Sequence, residues 1–487
     1  MTEPIGPSEV VSSGHLARLA HAISIQLVCR VFGMVASAVS VAITARYLGP
    51  GRYGQLTIAG AFIGMWMSLV DLGLGRVIVR RVTSGNGDLE RLVRVRNGIA
   101  LVYSIPLAAL AAGSGLLVYR DHDVRAMLVV LSSQMLMMTV TTRLEPVFQA
   151  TVRFSAVAIS DLVGRLAMLA VIGFLVAERT GVIWFAVVQL VPTVLQVLIQ
   201  VSAAGRHVSL RPIFAPREVA DLLRESLFPM GVTVITVLYW RADGVILSLV
   251  NTHAEVGVYG LASAIAMNTL VLSVFFLKST LSTATELFSR DVAAFAAFVR
   301  RSVELMSFLA VPIAVVGMLL AGPIIRLFGD QAFVGRGTPT LTLLFIAVGI
   351  RFVATTLGED LFASNRQRFW FWLTVATLAL NVALNLALDW RFGAIGAGVG
   401  LVCTELFNME VAAFWLRRHT GYRTPLLFAV RVLIPTAASV VVTLLLRGEH
   451  VVIILAAAAA AYLGTSAAVG PLTWSTFVSL RQKGLTA

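Results

Sequence analysis

Apolar residues run along this chain in long blocks, and polar residues collect in the short gaps between them. A bilayer core of about 30 Å needs about 20 apolar residues in a helix. By that measure fourteen blocks are candidate spans: 23–46, 54–78, 97–118, 126–145, 155–177, 182–203, 226–250, 256–278, 302–323, 338–357, 370–388, 392–416, 426–446 and 450–477. Pro106, Pro192, Pro229, Pro312 and Pro435 lie inside blocks, where neighbouring helices and local adjustments satisfy the freed backbone groups. A transmembrane barrel would show segments of about ten residues in strict alternation, and the chain has none. The pattern predicts an all-α polytopic membrane protein with about 14 transmembrane helices.

Charge adds an orientation. Only 13% of residues are charged and 58% are hydrophobic, with a mean hydropathy of +0.88; a soluble globular chain carries about 25% charge. The net charge of +13 is not a nucleic-acid signal, because the basic residues form short clusters between apolar blocks, where the positive-inside rule places them. Placing both termini in the cytoplasm puts Arg76, Arg80, Arg81, Arg91, Arg94 and Arg96 inside, with Arg206, Arg211, Arg217 and Arg224 and the later clusters. The basic residues of inside loops then outnumber those of outside loops by more than two to one. The expected location is the cytoplasmic (inner) membrane, crossed many times, with the amino and carboxy termini inside. Cys29 and Cys403 fall within apolar blocks and offer neither a disulfide framework nor a metal-ligand spacing. The first apolar run is too long for the core of a signal peptide.

Two pairs of stretches look alike. "LGPGRYGQLTIAGA" (48–61) resembles "HAEVGVYGLASAIA" (253–266), each placing Tyr-Gly before small and apolar residues. "RFSAVAISDLVGR" (153–165) and "RFWFWLTVATLAL" (368–380) open spans five and eleven. Duplication of this kind is common in secondary transporters, whose substrate site lies between the repeats. Residues 204–225 form the expected cytoplasmic link between two six-span halves, and spans thirteen and fourteen fall outside the duplicated core. "GAIGAGVG" (393–400) follows no strand, so it reads as small-residue helix packing and not as a phosphate loop.

Charge inside a span is costly and usually faces a bundle interior or a wet cavity. The candidates are Arg30, Asp71, Arg76, Asp161, Arg165, Arg241, Asp243, Arg351, Glu405 and Arg431. At 1.5 Å per residue, Arg165 lies about 15 Å into span five, Arg241 about 22 Å into span seven, and Arg30 about 10 Å from the cytoplasmic end of span one. Asp161 and Arg165, four apart, can pair on one helix face. Asp71, Arg76 and Arg351 lie near enough to a cytoplasmic end to snorkel; Glu405 and Arg431 are expected to pair between helices. In "YWRADGVILSLV" (239–250), Arg241 and Asp243 are two apart and point to nearly opposite sides of a helix, so each needs a partner elsewhere or a hydrated cleft. Asn381 and Asn385 are expected to hydrogen-bond between helices.

Several motifs, in order, resemble a known family. "ARYLGPGRYGQL" with "DLGLGRVIVRR", "YWRADGVILSLVNTHAEVGVYGLASA", "PIIRLFGDQAFVG" and "LNVALNLALDWRFGAIGAGVGLVCTELF" are similar to stretches of the lipid-linked oligosaccharide flippases. These belong to the multidrug/oligosaccharidyl-lipid/polysaccharide exporter superfamily. The resemblance covers at least residues 25–415. It implies two pseudo-symmetric six-helix lobes around a central cavity, residues 23–203 and 226–416, with two further helices in 426–478. It also implies alternating access and a polyprenyl-pyrophosphate-linked oligosaccharide substrate, moved to the outer leaflet for surface polysaccharide biosynthesis. Guanidinium groups bind phosphate oxygens in a fork, so Arg30, Arg165 and Arg241 are the expected substrate-binding residues. Asp161, Asp243 and Asp71 are the expected gating or charge-balancing residues. Polysaccharide polymerase and chain-length machinery are the implied protein partners, and no cofactor, metal or nucleic acid is expected. A peptidoglycan-precursor flippase and a cation-coupled drug exporter of the same superfamily are the alternatives. A membrane-embedded glycan-modifying enzyme is more remote, because no paired-carboxylate, His-Glu-x-x-His or Ser-His-Asp arrangement appears.

Overall fold

The computed structural model describes residues 13–83, 88–150, 154–204 and 211–469. The amino-terminal segment to residue 12, residues 205–210 of the expected link and the carboxy-terminal tail lie outside the described residues, as does the side chain of Arg76. All regular structure among the described residues is helical: α1 (Ser13–Met67), α2 (Leu74–Thr83), α3 (Leu89–Val118), α4 (His122–Ala150), α5 (Phe154–Ala177), α6 (Val182–Val187), α7 (Leu190–Ala204), α8 (Pro216–Val250), α9 (His253–Asn268), α10 (Val271–Arg290), α11 (Val292–Leu319), α12 (Ala321–Phe328), α13 (Gln331–Ala363), α14 (Gln367–Phe392), α15 (Ala394–Thr420), α16 (Leu426–Leu445) and α17 (Val451–Val469).

Of these described stretches, 13 are long and apolar enough to cross a bilayer. One of them, Val28–Met67, has 40 residues, about twice what one crossing needs. Helix α1 breaks within it at Gly49, whose φ of 68° and ψ of 173° belong to a region open almost only to glycine. Pro50 follows and disfavours helix at the residue before it. Taken as two crossings, α1 accounts for the fourteen apolar blocks. Local chemistry divides other blocks. The block at 54–78 is the end of α1 plus α2, separated by a turn in which Leu72 and Gly73 both have positive φ. Residues 182–203 divide into α6 and α7 ahead of Pro192, which has no N–H for the carbonyl four residues back.

Contacts divide the chain into two units. Unit 1 comprises residues up to Val41 with Trp66–Thr233, and unit 2 comprises Ala42–Met65 with Val234 onward. The middle of α1 therefore packs with unit 2 while both its flanks belong to unit 1. Helix α8 also passes from one unit to the other, between Thr233 and Val234.

In unit 1 the apolar face of the amphipathic α2 (Leu74, Val77, Ile78) packs with Leu92, Val95 and Ile99 of α3 and Leu222 of α8. Ion pairs fasten the rim of this cluster. Arg91 of α3 holds Glu218 of α8, with Nη2 to Oε1 at 2.5 Å, and Arg81 of α2 pairs with Glu225. The hydrogen bond from Arg91 holds the Glu218 carboxyl below its usual value. The backbone joins in, with Ile213 N donating to Arg94 O at 3.0 Å.

In unit 2, α13 is the central helix, packed against α9, α10, α11 and α15. Gly398 of α15 lies against Leu343 of α13, and Gly400 against Leu384 of α14, as the small residues of 393–400 predict. Helix α14 buries Leu373, Thr377, Asn381, Asn385 and Asp389, one stripe at intervals of four, so its inward face is polar and its outward face apolar. The two Tyr-Gly stretches meet here. A Cβ on Gly257 would overlap the carbonyl oxygen of Pro50 and stand 2.9 Å from Gly54 N, so α1 and α9 cross with backbones touching. Arg46 extends this contact, donating to the carbonyls of Leu327 at 2.6 Å, Gly329 at 3.0 Å and Arg326 at 3.1 Å. These are the orphan acceptors at the end of α12. Helices α16 and α17 dock on α11, where Tyr462 donates to Phe308 O at 2.6 Å.

The crossing makes a direct prediction. Gly257→Ala should cost about 1–3 kcal/mol through overpacking and lower the thermal unfolding midpoint in nanodiscs. Gly51→Ala, with open space around it, should leave the midpoint unchanged or raise it slightly.

Candidate functional site

The site is built up from the stretch at 239–243, in the second half of α8. Tyr239 and Asp243 turn into unit 2, while Trp240 is half exposed. Tyr239 donates to Glu405 of α15, and Arg351 of α13 clasps the same carboxylate, with Nε to Oε1 at 2.6 Å and Nη2 to Oε1 at 2.5 Å. The Arg351 guanidinium also lies 4.7 Å from the centroid of the Trp240 ring and 5.2 Å from that of Tyr239. One turn on, Asp243 accepts from Tyr259 Oη at 2.7 Å and from Asn385 Nδ2 at 3.0 Å. Asp243 is buried, and Asn381, Asn385 and Asp389 are fully so.

Arg241 is different. It projects from the exposed face of α8, and its guanidinium lies against Gly64 in the second half of α1. A Cβ there would stand 3.1 Å from Nε and 3.3 Å from Cζ, so the absent side chain is what admits the arginine. Arg241 forms no ion pair with a carboxylate among the described residues. The contrast with Arg351 is direct. Arg351 and Glu405 are 4% and 1% exposed and form a sealed pair, whereas Arg241 keeps its donors open.

Unit 1 holds the second arginine. Arg165 donates through Nε to Asp161 Oδ2 at 2.9 Å, one turn back on α5, and through Nη1 to Ser37 Oγ of α1 at 2.5 Å. Gln196 of α7 donates to the other carboxylate oxygen at 3.3 Å. Gly33 makes room, since a Cβ there would meet Arg165 Cδ at 3.1 Å. Arg165 and Asp161 are 37% and 35% exposed, so this pair is open where the Arg351 pair is closed. Arg30 is exposed, and it stands three and seven residues before Gly33 and Ser37. That spacing puts it on the same face of α1, about 10 Å along the axis from Ser37.

The sequence-expected residues thus fall in two places. Arg30, Arg165 and Asp161 gather on one side of unit 1, and Arg241 and Asp243 occupy opposite faces of one turn in unit 2. Asp71, in unit 1, pairs with the buried Arg96 of α3 and accepts from Gly75 N at 3.3 Å, which closes the turn before α2. Two expectations are corrected. Arg351 does not snorkel but is buried, and Glu405 pairs with it, leaving Arg431 exposed on α16. The reason is rotation about the helix axis, because Glu405 of α15 faces α13, the helix with which α15 packs most closely.

Two buried polar residues beside Asp243 have no counterpart in the sequence expectations: Tyr259, which donates to it, and Asp389. Asp389 continues the asparagine stripe of α14, and that interval of four is the signal that identifies it. Neither of its carboxylate oxygens has a hydrogen-bond partner among the described residues, nor does Oδ1 of Asn381 or Asn385. Among the described residues no three His, Cys, Asp or Glu side chains gather as a metal site.

Known proteins carry the same fold and the same sequence pattern. The family model described as polysaccharide biosynthesis protein matches residues 43–333, more than half of the chain. The chain belongs to this family. Family membership accounts for the order of the motifs from the break in α1 to the start of α13. The sequence matches no individual curated protein. Among solved structures, this polysaccharide biosynthesis protein is similar to the lipid II flippase MurJ in an inward closed conformation. The TM-score is 0.76 at 14% identity, covering 91% of this chain and 98% of that one. It is also similar to an inward-facing multidrug resistance MATE transporter of the MOP superfamily, with a TM-score of 0.67, 13% identity, and 81% and 98% coverage. A third is a point mutant of the Vibrio cholerae MATE transporter VcmN, with a TM-score of 0.57, 16% identity, and 83% and 98% coverage. The architecture is therefore the all-α, multi-pass membrane fold of flippases and exporters.

The buried pair is testable. Arg351→Met should strand the Glu405 charge and cost about 3–5 kcal/mol, and the double change Arg351→Met with Glu405→Met should recover most of that. Unfolding midpoints of the three proteins in nanodiscs measure both effects.

Proposed function

We propose that this family member is a flippase that carries polyprenyl-pyrophosphate-linked oligosaccharide units across the cytoplasmic membrane for surface polysaccharide biosynthesis. The observation that carries the reading is the difference between the arginines. Arg351 is neutralised by a sealed carboxylate, while Arg241 has no carboxylate partner among the described residues and Arg165 has an open one. Unneutralised guanidinium within a span is expensive, and a travelling diphosphate is a ligand that repays it with forked, charge-assisted hydrogen bonds. The chemistry of unit 2 also suits the lipid part of such a substrate. An apolar cavity of about 590 Å³, lined by Phe308, Pro312, Phe345, Val451, Tyr462 and Leu463, opens among α11, α13 and α17.

In this reading the two six-helix lobes, residues 23–203 and 226–416, alternate access around the fixed arginines, and 204–225 links them on the cytoplasmic side. Both termini are cytoplasmic, and no chemical bond is made or broken. The polysaccharide polymerase and its chain-length machinery receive the flipped units. The fold shared with MurJ supports a second reading, in which the cargo is a peptidoglycan precursor with the same diphosphate.

Deleting the gene should strand diphosphate-linked oligosaccharide on the cytoplasmic side and remove surface polymer. Mass spectrometry of extracted lipids checks this and separates the two cargoes by their sugars. Normal surface glycan without accumulation contradicts the reading. Arg241→Glu should abolish complementation by a protein that still inserts at normal level, and full complementation would remove Arg241 from the site.

A further inference from the structure

Arg165 is held by a carboxylate that resembles its proposed ligand, and the way it is held is informative. Asp161 takes one guanidinium edge through Nε, and Ser37 takes Nη1; no hydrogen bond from Nη2 to a described residue is present. The carboxylate is itself only half secured, with Gln196 at 3.3 Å on its second oxygen. Both members of the pair are about a third exposed. Where such a half-exposed i,i+4 pair meets water it is weak, because it gains little Coulomb energy there and is screened. The sealed Arg351–Glu405 pair shows that this chain can bury such a pair fully where the pair is structural.

Resting on the diphosphate reading, we infer that Asp161 is a built-in competitor for Arg165. It occupies the guanidinium in the empty transporter, and the substrate diphosphate displaces it. A diphosphate offers more negative charge and more acceptor oxygens than one carboxylate, so it takes the fork with Nε and the unused Nη2. The displaced carboxylate keeps Gln196 and water. The same exchange in reverse expels the diphosphate: as the substrate leaves, Asp161 recaptures Arg165. The carboxylate thus lowers affinity and speeds release, so Asp161 acts on the substrate through Arg165 and serves as a specificity-determining residue for diphosphate over less charged head groups. Gly33 and Ser37 of α1 position the guanidinium at this exchange point.

The test uses the full-length protein in nanodiscs, with farnesyl diphosphate as the probe and farnesyl monophosphate and farnesol as comparators, read by calorimetry or fluorescence competition. Asp161→Asn preserves size and the contact with Gln196. It should bind farnesyl diphosphate about tenfold more tightly, the equivalent of ~1.4 kcal/mol, with little change for farnesol. The gain should vanish in the double variant Asp161→Asn with Arg165→Gln. In a reconstituted flipping assay, Asp161→Asn should lower both KM and kcat, a split that a merely structural role would not produce. If the unaltered protein binds the diphosphate and Asp161→Asn binds it equally or more weakly, the inference is overturned while the diphosphate reading stands. If no variant distinguishes farnesyl diphosphate from farnesol, the diphosphate reading fails and takes the inference with it.

Discussion

A guanidinium surrounded by hydrocarbon is the constraint on which this molecule turns. Each one must be sealed against a carboxylate, led to the membrane surface or kept in water, because an uncompensated charge at that depth costs too much to be incidental. The chain uses different solutions for different arginines. Arg351 is sealed with Glu405, and Arg96 is buried with Asp71 at a turn. Arg165 is half-held by Asp161, and Arg241 is left on the open face of α8 beside Gly64. The neutralisation is graded from sealed to open, which a list of charged residues in apolar spans does not reveal.

The sealed contacts also explain the open one. Tyr239, Trp240 and Asp243 are each engaged by α9, α13, α14 or α15, which fixes the rotation of α8 about its axis. With those faces committed, the helical repeat leaves Arg241 no choice but to point away from the core of unit 2. The polar stripe of α14 is part of the same arrangement, since Asn385 can reach Asp243 only because α14 turns its asparagines inward and its apolar side chains outward. Stability of the half-membrane scaffold and presentation of the arginine are one set of interactions.

Much of this was legible in the linear sequence. Fourteen apolar blocks correspond to the helical crossings once the break at Gly49 and Pro50 divides α1. The spacing of Asp161 and Arg165 allowed the pair that forms, and the two-residue spacing of Arg241 and Asp243 predicted that they would part company. The likeness between the two Tyr-Gly stretches was visible, although not that they touch, because contact between residues some 200 positions apart depends on tertiary packing. The same limit hid the partner of Glu405. Hydropathy gives depth along each span but not rotation about its axis, and rotation decides whether Glu405 meets Arg351 or Arg431. Asp389 escapes the sequence pattern because it lies one residue past the end of its apolar block, 370–388, where an acid is ordinary; only its place on the Asn381 and Asn385 stripe sets it apart.

In the proposed function the open arginines hold a diphosphate. A cryo-electron microscopy map of the protein in nanodiscs with a polyprenyl-diphosphate oligosaccharide tests it most directly. Diphosphate density should lie within hydrogen-bonding distance of Arg241 or Arg165, with the Asp161 carboxylate withdrawn from Arg165 wherever that residue is engaged. Head-group density remote from both arginines, with Arg165 still on Asp161 and Arg241 closed onto a protein carboxylate, would contradict it.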